Sequence, residues 1–280
     1  MVKIRNILAA TTALVTAVAL TGCGSSNSGQ EGKSASGKSD TIVVAASPTP
    51  HAQILKFLNK EVAPKHGYKI DIKEFNDYVQ PNEALKTHEV DANYFQTIPF
   101  LNNESKQRGY KFEPGESVHL EPVGIFSKKV KNVNDLKEGD KVGIIQDVTN
   151  QDRALRLLGA QGLIKLPKKQ NLAVADVKNS KEFNPKGLVF QEVDGPQLVR
   201  SLADVDIAVI NGNYAQAGGL KQSEAIALES TENNPATNLL VWRKGEKSEL
   251  VKKLEKDLHS KEVKDFIEKT WPDKSVIPAF

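Results

Sequence analysis

Strand-like and helix-like patterns alternate along this chain in two separated sets. In the first set, Thr41–Ala46 is a nearly continuous apolar run, typical of a strand buried on both faces. Residues 50–62 carry apolar residues at helical spacing, residues 68–72 alternate apolar with polar, and a second helix opens at Pro81. The order strand, helix, strand, helix predicts parallel βαβ units.

The second set begins about 60 residues later and has the same character. Residues 141–145 (KVGII), 188–193 and 206–210 (DIAVI) are predicted strands, and residues 151–158 and 196–202 are predicted helices. No repeat at a fixed period links the two sets. Each set therefore predicts its own parallel sheet.

Two extended stretches, 121–127 and 237–242, lie between the sets, and a charged helical stretch spans 248–269. We interpret the pattern as an α/β protein of two lobes joined by two crossover strands. Lobe 1 comprises 41–122 with 238–280, and lobe 2 comprises 123–237. This is the type II, periplasmic-binding-protein-like clamp, and ligands of such open sheets bind beyond the carboxyl ends of the strands, here in the cleft between the lobes.

The first 22 residues are interpreted as a signal peptide. Lys3 and Arg5 form a positive start, and Ile7–Leu20 is an uncharged run of fourteen residues, shorter than the ~20 that a spanning helix needs. The run ends in Leu-Thr-Gly-Cys at Cys23, which resembles a bacterial lipobox. That resemblance implies a lipid on Cys23.

Residues 24–40 are rich in Ser and Gly and predict a flexible tether. Because the chain has one cysteine, a disulfide framework and a Cys-rich zinc site are excluded. The 38 basic and 35 acidic residues are evenly spread, which argues against a nucleic-acid partner. We expect a folded body held at the extracytoplasmic face of the cell membrane.

Four clusters of polar and aromatic residues follow predicted strands, where a cleft ligand would lie. They are 76–82 (NDYVQPN), 91–100 (DANYFQTIPF), 149–153 (TNQDR) and 211–215 (NGNYA). An amino-acid zwitterion needs a guanidinium and helix amides for its carboxylate, carbonyl or carboxylate oxygens for its ammonium, and aromatic rings around an apolar side chain. Taken singly, the same residues are equally typical of core aromatics, helix caps and turns.

Together with LTGC, ASPTPHA at 46–52, EFNDYVQPNEAL at 74–85 and NGNYAQAG at 211–218, these clusters resemble the methionine-binding lipoproteins of the MetQ/NlpA type. The resemblance covers nearly the whole chain. It implies a substrate-binding component of an ABC importer, with the permease and its ATPase subunit as partners. It also implies a small-molecule, methionine-like ligand. The site residues it implies are Tyr78, Phe95, Thr97, Asn150, Arg153, Asn211 and Asn238.

The chain departs from the family pattern at Thr97, where the family usually has His, and at Phe100, where it usually has Tyr. The first change removes an aromatic wall from the implied side-chain pocket. Methionine is the best single ligand, with another amino acid or a methionine-containing dipeptide left open.

An enzyme and a surface adhesion lipoprotein are the two alternative classes of function. An enzyme is disfavoured because the five histidines show no metal-binding spacing and there is neither a nucleophile elbow nor a P-loop, so we expect no catalytic residue, no metal and no cofactor. A surface adhesion lipoprotein that kept the fold stays open. Growth of a deletion strain on limiting methionine would separate transport from adhesion.

Overall fold

The computed structural model describes residues 40–280, which fold around two mixed sheets. The expected signal peptide, the expected lipidation site Cys23 and most of the expected tether lie outside the described residues. No helix in the described range is long and apolar enough to cross a membrane.

The first sheet has six strands in the order β11-β4-β10-β3-β1-β2. Strand β1 pairs in parallel with both β2 and β3, whereas β10 runs antiparallel to β3 and β4. The strands are β1 (Thr41–Ala46), β2 (Lys69–Glu74), β3 (Ala92–Thr97), β4 (Phe112–Leu120), β10 (Thr237–Arg243) and β11 (Ile277–Pro278).

The second sheet has five strands in the order β7-β6-β8-β5-β9. Strand β6 pairs in parallel with β7 and β8, and β5 runs antiparallel to β8 and β9. The strands are β5 (Gly124–Phe126), β6 (Lys141–Ile145), β7 (Val189–Val193), β8 (Ile207–Ile210) and β9 (Ala227–Leu228).

Helices cover both sheets and bury apolar residues on each face. They are α1 (His51–Glu61), α2 (Gln80–Lys86), α3 (Ile98–Arg108), α4 (Val148–Ala160), α5 (Leu198–Ser201), α6 (Gly212–Ala217), α7 (Glu249–Leu258) and α8 (Lys261–Thr270). The expected helical stretch at 248–269 is thus two helices. The break falls at Ser260, whose hydroxyl accepts the N–H of Val263 and so caps α8.

Two lobes with mixed α/β sheets agree with the expected fold class. The two extended stretches form β5 and β10, one in each sheet, and the chain passes between the sheets at 121–123 and 229–236. The carboxyl ends of strands β3, β6 and β8, and the residues that follow them, lie together between the lobes.

Candidate functional site

One cavity between the lobes is lined by all seven residues expected to bind a ligand. These are Tyr78, Phe95, Thr97, Asn150, Arg153, Asn211 and Asn238. The remaining lining residues are His51, Gln96, Phe100, Glu121, Gly212 and Asn213. The structure therefore brings the expected residues together. Their role in binding stays a prediction.

Aromatic rings form one wall of the cavity. The Tyr78 ring lies 6.0 Å from that of Phe95 and 5.7 Å from that of Phe100, and the last two are 5.9 Å apart. The Tyr78 hydroxyl crosses to the other lobe, where it donates a 2.7 Å hydrogen bond to Asn213 Oδ1, and its ring stacks on Tyr214. Spacings of this size are those of rings in direct contact, so the three rings form a continuous apolar wall against which an apolar or thioether side chain can pack.

Arg153 lies on α4 and enters the cavity with its side chain only 15% exposed. Its Nε and Nη2 donate to the two carboxylate oxygens of Glu229 at 3.1 and 2.7 Å, and Nη2 also donates to the backbone oxygen of Glu121. Burial lowers the pKa of Arg153, but Glu229 more than compensates and raises it. Within residues 40–280, Nη1 has no hydrogen-bond partner. The sequence predicts that the Arg153 guanidinium binds a ligand carboxylate, but its Nε and Nη2 already donate to Glu229. A ligand carboxylate would therefore accept from Nη1.

A chain of amides leads from the start of α4 to the cavity. Asp147 caps α4 and accepts both bonds donated by the Asn150 amide, at 3.1 and 3.0 Å. Asn150 Oδ1 in turn accepts from Asn211 Nδ2 at 2.7 Å. Asn211 Oδ1 has no hydrogen-bond partner in the described range. Asn150 thus orients Asn211, and Asn211 offers the free carbonyl oxygen.

Glu121 is the carboxylate that sequence reasoning missed. It begins the segment between the sheets, is 5% exposed and lines the cavity. Its Oε1 accepts from His119 Nε2 at 2.8 Å and lies 3.4 Å from both His51 Nε2 and Asn238 Nδ2. Burial raises the pKa of Glu121 to about 7, against the lowering effect of His51, Arg153 and the Asn213 backbone N–H. Its position at the start of a predicted extended stretch was the one available signal.

The two histidines beside Glu121 are neutral. Burial lowers the pKa of His51 to about 4 and that of His119 to about 3. The ligand-type atoms of His51, His119 and Glu121 lie within 4.8 Å of one another, which is a possible metal-binding arrangement. However, His119 Nε2 already donates to Glu121, and His51 Nε2 pairs with Asn238 Oδ1 at 3.0 Å. These bonds occupy the Nε2 atom of each histidine, whereas His51 Nδ1 is buried without a hydrogen-bond partner among residues 40–280.

Gly212 allows Glu121 to reach the cavity. A Cβ atom at this position would lie 2.8 Å from Glu121 Cβ and 3.2 Å from Oε2. Contacts that short would displace the carboxylate. Only glycine therefore fits beside Glu121 as it stands.

Thr97 stands at the boundary between this cavity and a second, larger cleft. Its hydroxyl caps α3 by accepting the N–H of Phe100 at 3.4 Å. The second cleft shares Thr97 and Arg153 with the first, and it is otherwise lined by α4 and by residues 228–236 between the sheets. Because threonine is small, the side chain at position 97 forms only a narrow boundary between the cavity and the second cleft.

Several known proteins match the chain over most of its folded part. A methionine-binding lipoprotein MetQ of Bacillus subtilis is 42% identical over 271 residues, 95% of each chain. The solved structure of a lipoprotein from Actinomyces odontolyticus is 52% identical, with a TM-score of 0.81, and spans 86% of this chain and 99% of its own. That of a nutrient binding protein from Burkholderia cenocepacia bound to methionine is 41% identical, with a TM-score of 0.80, and spans 85% and 100%.

These solved neighbours confirm the expected two-lobed substrate-binding fold. The family is one of substrate-binding lipoproteins and not of enzymes, which agrees with the expectation that this chain is not a catalyst. The NlpA lipoprotein family matches residues 42–280, and the chain belongs to that family.

Proposed function

We propose that this chain is an extracytoplasmic, lipid-anchored binding protein that captures an amino acid, L-methionine first, and delivers it to an ABC importer. The observation that carries the proposal is a single cavity that joins a cation, a carboxylate and three aromatic rings. Its relative in Bacillus subtilis is named a methionine-binding lipoprotein, the one in Escherichia coli is named a D-methionine-binding lipoprotein, and a solved neighbour is bound to methionine.

Each part of a zwitterion has a matching group in the cavity. Nη1 of Arg153 faces the carboxylate, and Glu121 with the free Oδ1 of Asn211 faces the ammonium. Charge-assisted bonds of this kind are about twice as strong as neutral ones. The rings of Tyr78 and Phe95 enclose the side chain, where a thioether gains ~0.3–1.5 kcal/mol from a good sulfur–ring contact.

The two lobes, 41–122 with 238–280 and 123–237, are proposed to close over this ligand as rigid bodies. The Tyr78–Asn213 bond and the Tyr78–Tyr214 stack join the lobes directly across the cleft. Closure removes water from the cavity and strengthens every charged contact in it. A permease with its ATPase subunit would bind the closed form of the protein.

Calorimetry of ligand-free protein with L-methionine and a panel of other amino acids tests the proposal. We expect L-methionine to bind most tightly and native mass spectrometry to find it on the purified protein. Binding of no amino acid, with a different small molecule carried along instead, would contradict the proposal.

A methionine-containing dipeptide is the second candidate ligand, because the larger cleft adjoins the cavity at Thr97 and Arg153. A peptide chain leaving the cavity past these residues would extend into that cleft. We expect Thr97→His to weaken dipeptide binding about tenfold more than L-methionine binding, since the imidazole narrows the boundary.

Calorimetry with both ligands measures this difference. Thr97→Ser is the matched control, because serine keeps both the small volume and the α3 cap. Equal affinity changes for the two ligands in the histidine variant would argue that the boundary is closed to peptides.

The lipid anchor gives a separate prediction. We expect Cys23→Ala to abolish the incorporation of labelled fatty acid into the protein, because Cys23 is the chain's single cysteine. Immunoprecipitation after metabolic labelling measures the incorporation. Ser26→Ala in the tether is the control, and undiminished label on the Cys23 variant would refute the anchor.

A further inference from the structure

A buried chain of hydrogen bonds runs from the first sheet to the cavity. The Tyr94 hydroxyl bonds Nδ1 of His119, and His119 Nε2 bonds Oε1 of Glu121 at 2.8 Å. Tyr94 and His119 are fully buried on neighbouring parts of the sheet. Glu121 is the member of the chain that lines the cavity.

The protonation of this chain follows from its last member. An ionised carboxylate only accepts hydrogen bonds, so His119 must carry its single proton on Nε2. Nδ1 is then an acceptor, and Tyr94 must donate to it. With Glu121 ionised, every bond in the chain thus has one donor and one acceptor, and the tyrosine hydroxyl supports the histidine tautomer that the carboxylate needs.

The same bonds decide which oxygen of Glu121 serves a ligand. Oε1 is occupied by His119 and lies 3.4 Å from both His51 Nε2 and Asn238 Nδ2. Oε2 lies on the side of Gly212, which itself lines the cavity. A carboxylate that rotated or lost these donors would present a different oxygen, or a protonated one, to the ligand.

We propose that His119 and Tyr94 are positioning residues for ligand binding: they hold Glu121 ionised, with Oε1 fixed inward and Oε2 directed to the ammonium group of the ligand. The inference rests on the proposed function, in which Glu121 receives that ammonium. It assigns a binding role to two residues that no ligand contacts.

The groups around Glu121 allow its titration to be followed. His51 from α1, with a pKa of about 4, and His119 from β4, with a pKa of about 3, stay neutral between pH 5 and 8. Arg153 from α4 stays charged and is paired with Glu229, while burial raises the pKa values of Tyr78 and Tyr94 well above 10. The midpoint near pH 7 thus belongs to Glu121.

The test measures L-methionine affinity from pH 6 to 8.5 in His119→Leu. Without its donor, the Glu121 anion is less stable, so the midpoint should rise by about one pH unit or more. We expect about tenfold weaker binding at pH 7, with most of the loss recovered at pH 8.5. His119→Gln, which keeps an N–H donor, should restore most of the wild-type profile.

A second ligand separates positioning from general damage. The 2-hydroxy acid analogue of methionine lacks the ammonium group, so His119→Leu should change its affinity by less than about threefold. Tyr94→Phe removes one hydroxyl and is expected to shift the L-methionine profile in the same direction by a smaller amount. It keeps the test usable if the leucine variant does not fold.

His259→Leu is the matched control, since His259 is half-buried and bonds only backbone oxygens of Glu255 and Ser117. Its pH profile should match the wild type. An affinity loss in both the His119 and Tyr94 variants that is equal at every pH and for both ligands would overturn the positioning role. Failure of the wild type to bind any amino acid would instead refute the proposed function itself.

Discussion

Replacing Arg153 by alanine is expected to weaken L-methionine binding by a hundredfold or more, ~2.7 kcal/mol or above. The reason is that the guanidinium is the cation in the cavity, and its Nη1 is the group left free for a carboxylate. Truncation would leave a buried carboxylate unmatched, which is more costly than the loss of an exposed contact. Isothermal calorimetry on the folded variant measures the effect.

This variant also removes the partner of Glu229, whose side chain is only 15% exposed. We therefore expect a lower melting temperature for Arg153→Ala, from an unpaired buried charge. The double variant Arg153→Ala/Glu229→Gln should recover stability but not binding. Arg156→Ala, one turn along α4 and paired with Asp152 at the surface, is the control that should bind L-methionine normally. Wild-type affinity in the Arg153 variant would remove Arg153 from the site.

The second large effect concerns Glu121. Glu121→Gln keeps the shape of the side chain but removes its charge, and we expect L-methionine affinity to fall about thirtyfold to a hundredfold at pH 8. The wild type itself should lose affinity as pH falls below about 7, because the protonated carboxyl binds an ammonium poorly and the pKa of Glu121 is about 7. The decrease should approach ~10-fold per pH unit. In the glutamine variant this slope should vanish.

The stability of the ligand-free protein should change in the opposite sense. The folded-state pKa of Glu121 lies above its ordinary value of 4.5, so its contribution to stability is present below pH 4.5 and is lost as pH rises through 7. At pH 8 the ligand-free Glu121→Gln protein should therefore melt at a higher temperature than the wild type. Thermal melts at pH 5 and 8 measure this. A glutamine variant that binds normally and is no more stable would contradict both expectations.

Strands buried on both faces were predictable from the sequence. Thr41–Ala46 and Lys141–Ile145 form β1 and β6 with the predicted bounds, because a central parallel strand requires a continuous apolar run. Strand β3 (Ala92–Thr97) is equally central, yet its sequence predicts only a polar and aromatic cluster. Its Asn93 and Gln96 are buried because they bond each other and Asn82, a network that no local pattern reveals.

The partners of the site residues were the least predictable part. The sequence predicts that Arg153 binds a ligand carboxylate through paired N–H donors. In the structure, its Nε and Nη2 donate to Glu229, which is 76 residues away. Asn150 is predicted to bind the ligand, and no local pattern reveals that its amide also bonds Asp147 and Asn211. Glu121 gave no signal beyond its position, since its pKa depends on burial and on residues far along the chain.

The sequence by itself determined the two α/β lobes and the kinds of side chain that gather after the strands. Periodicity and residue type are local properties, and these conclusions depend only on them. The tertiary structure alone decided which of those side chains are already satisfied by the protein and which remain open to a ligand. Hydrogen-bond capacity is finite, and here it is used by partners that only the folded chain brings within reach.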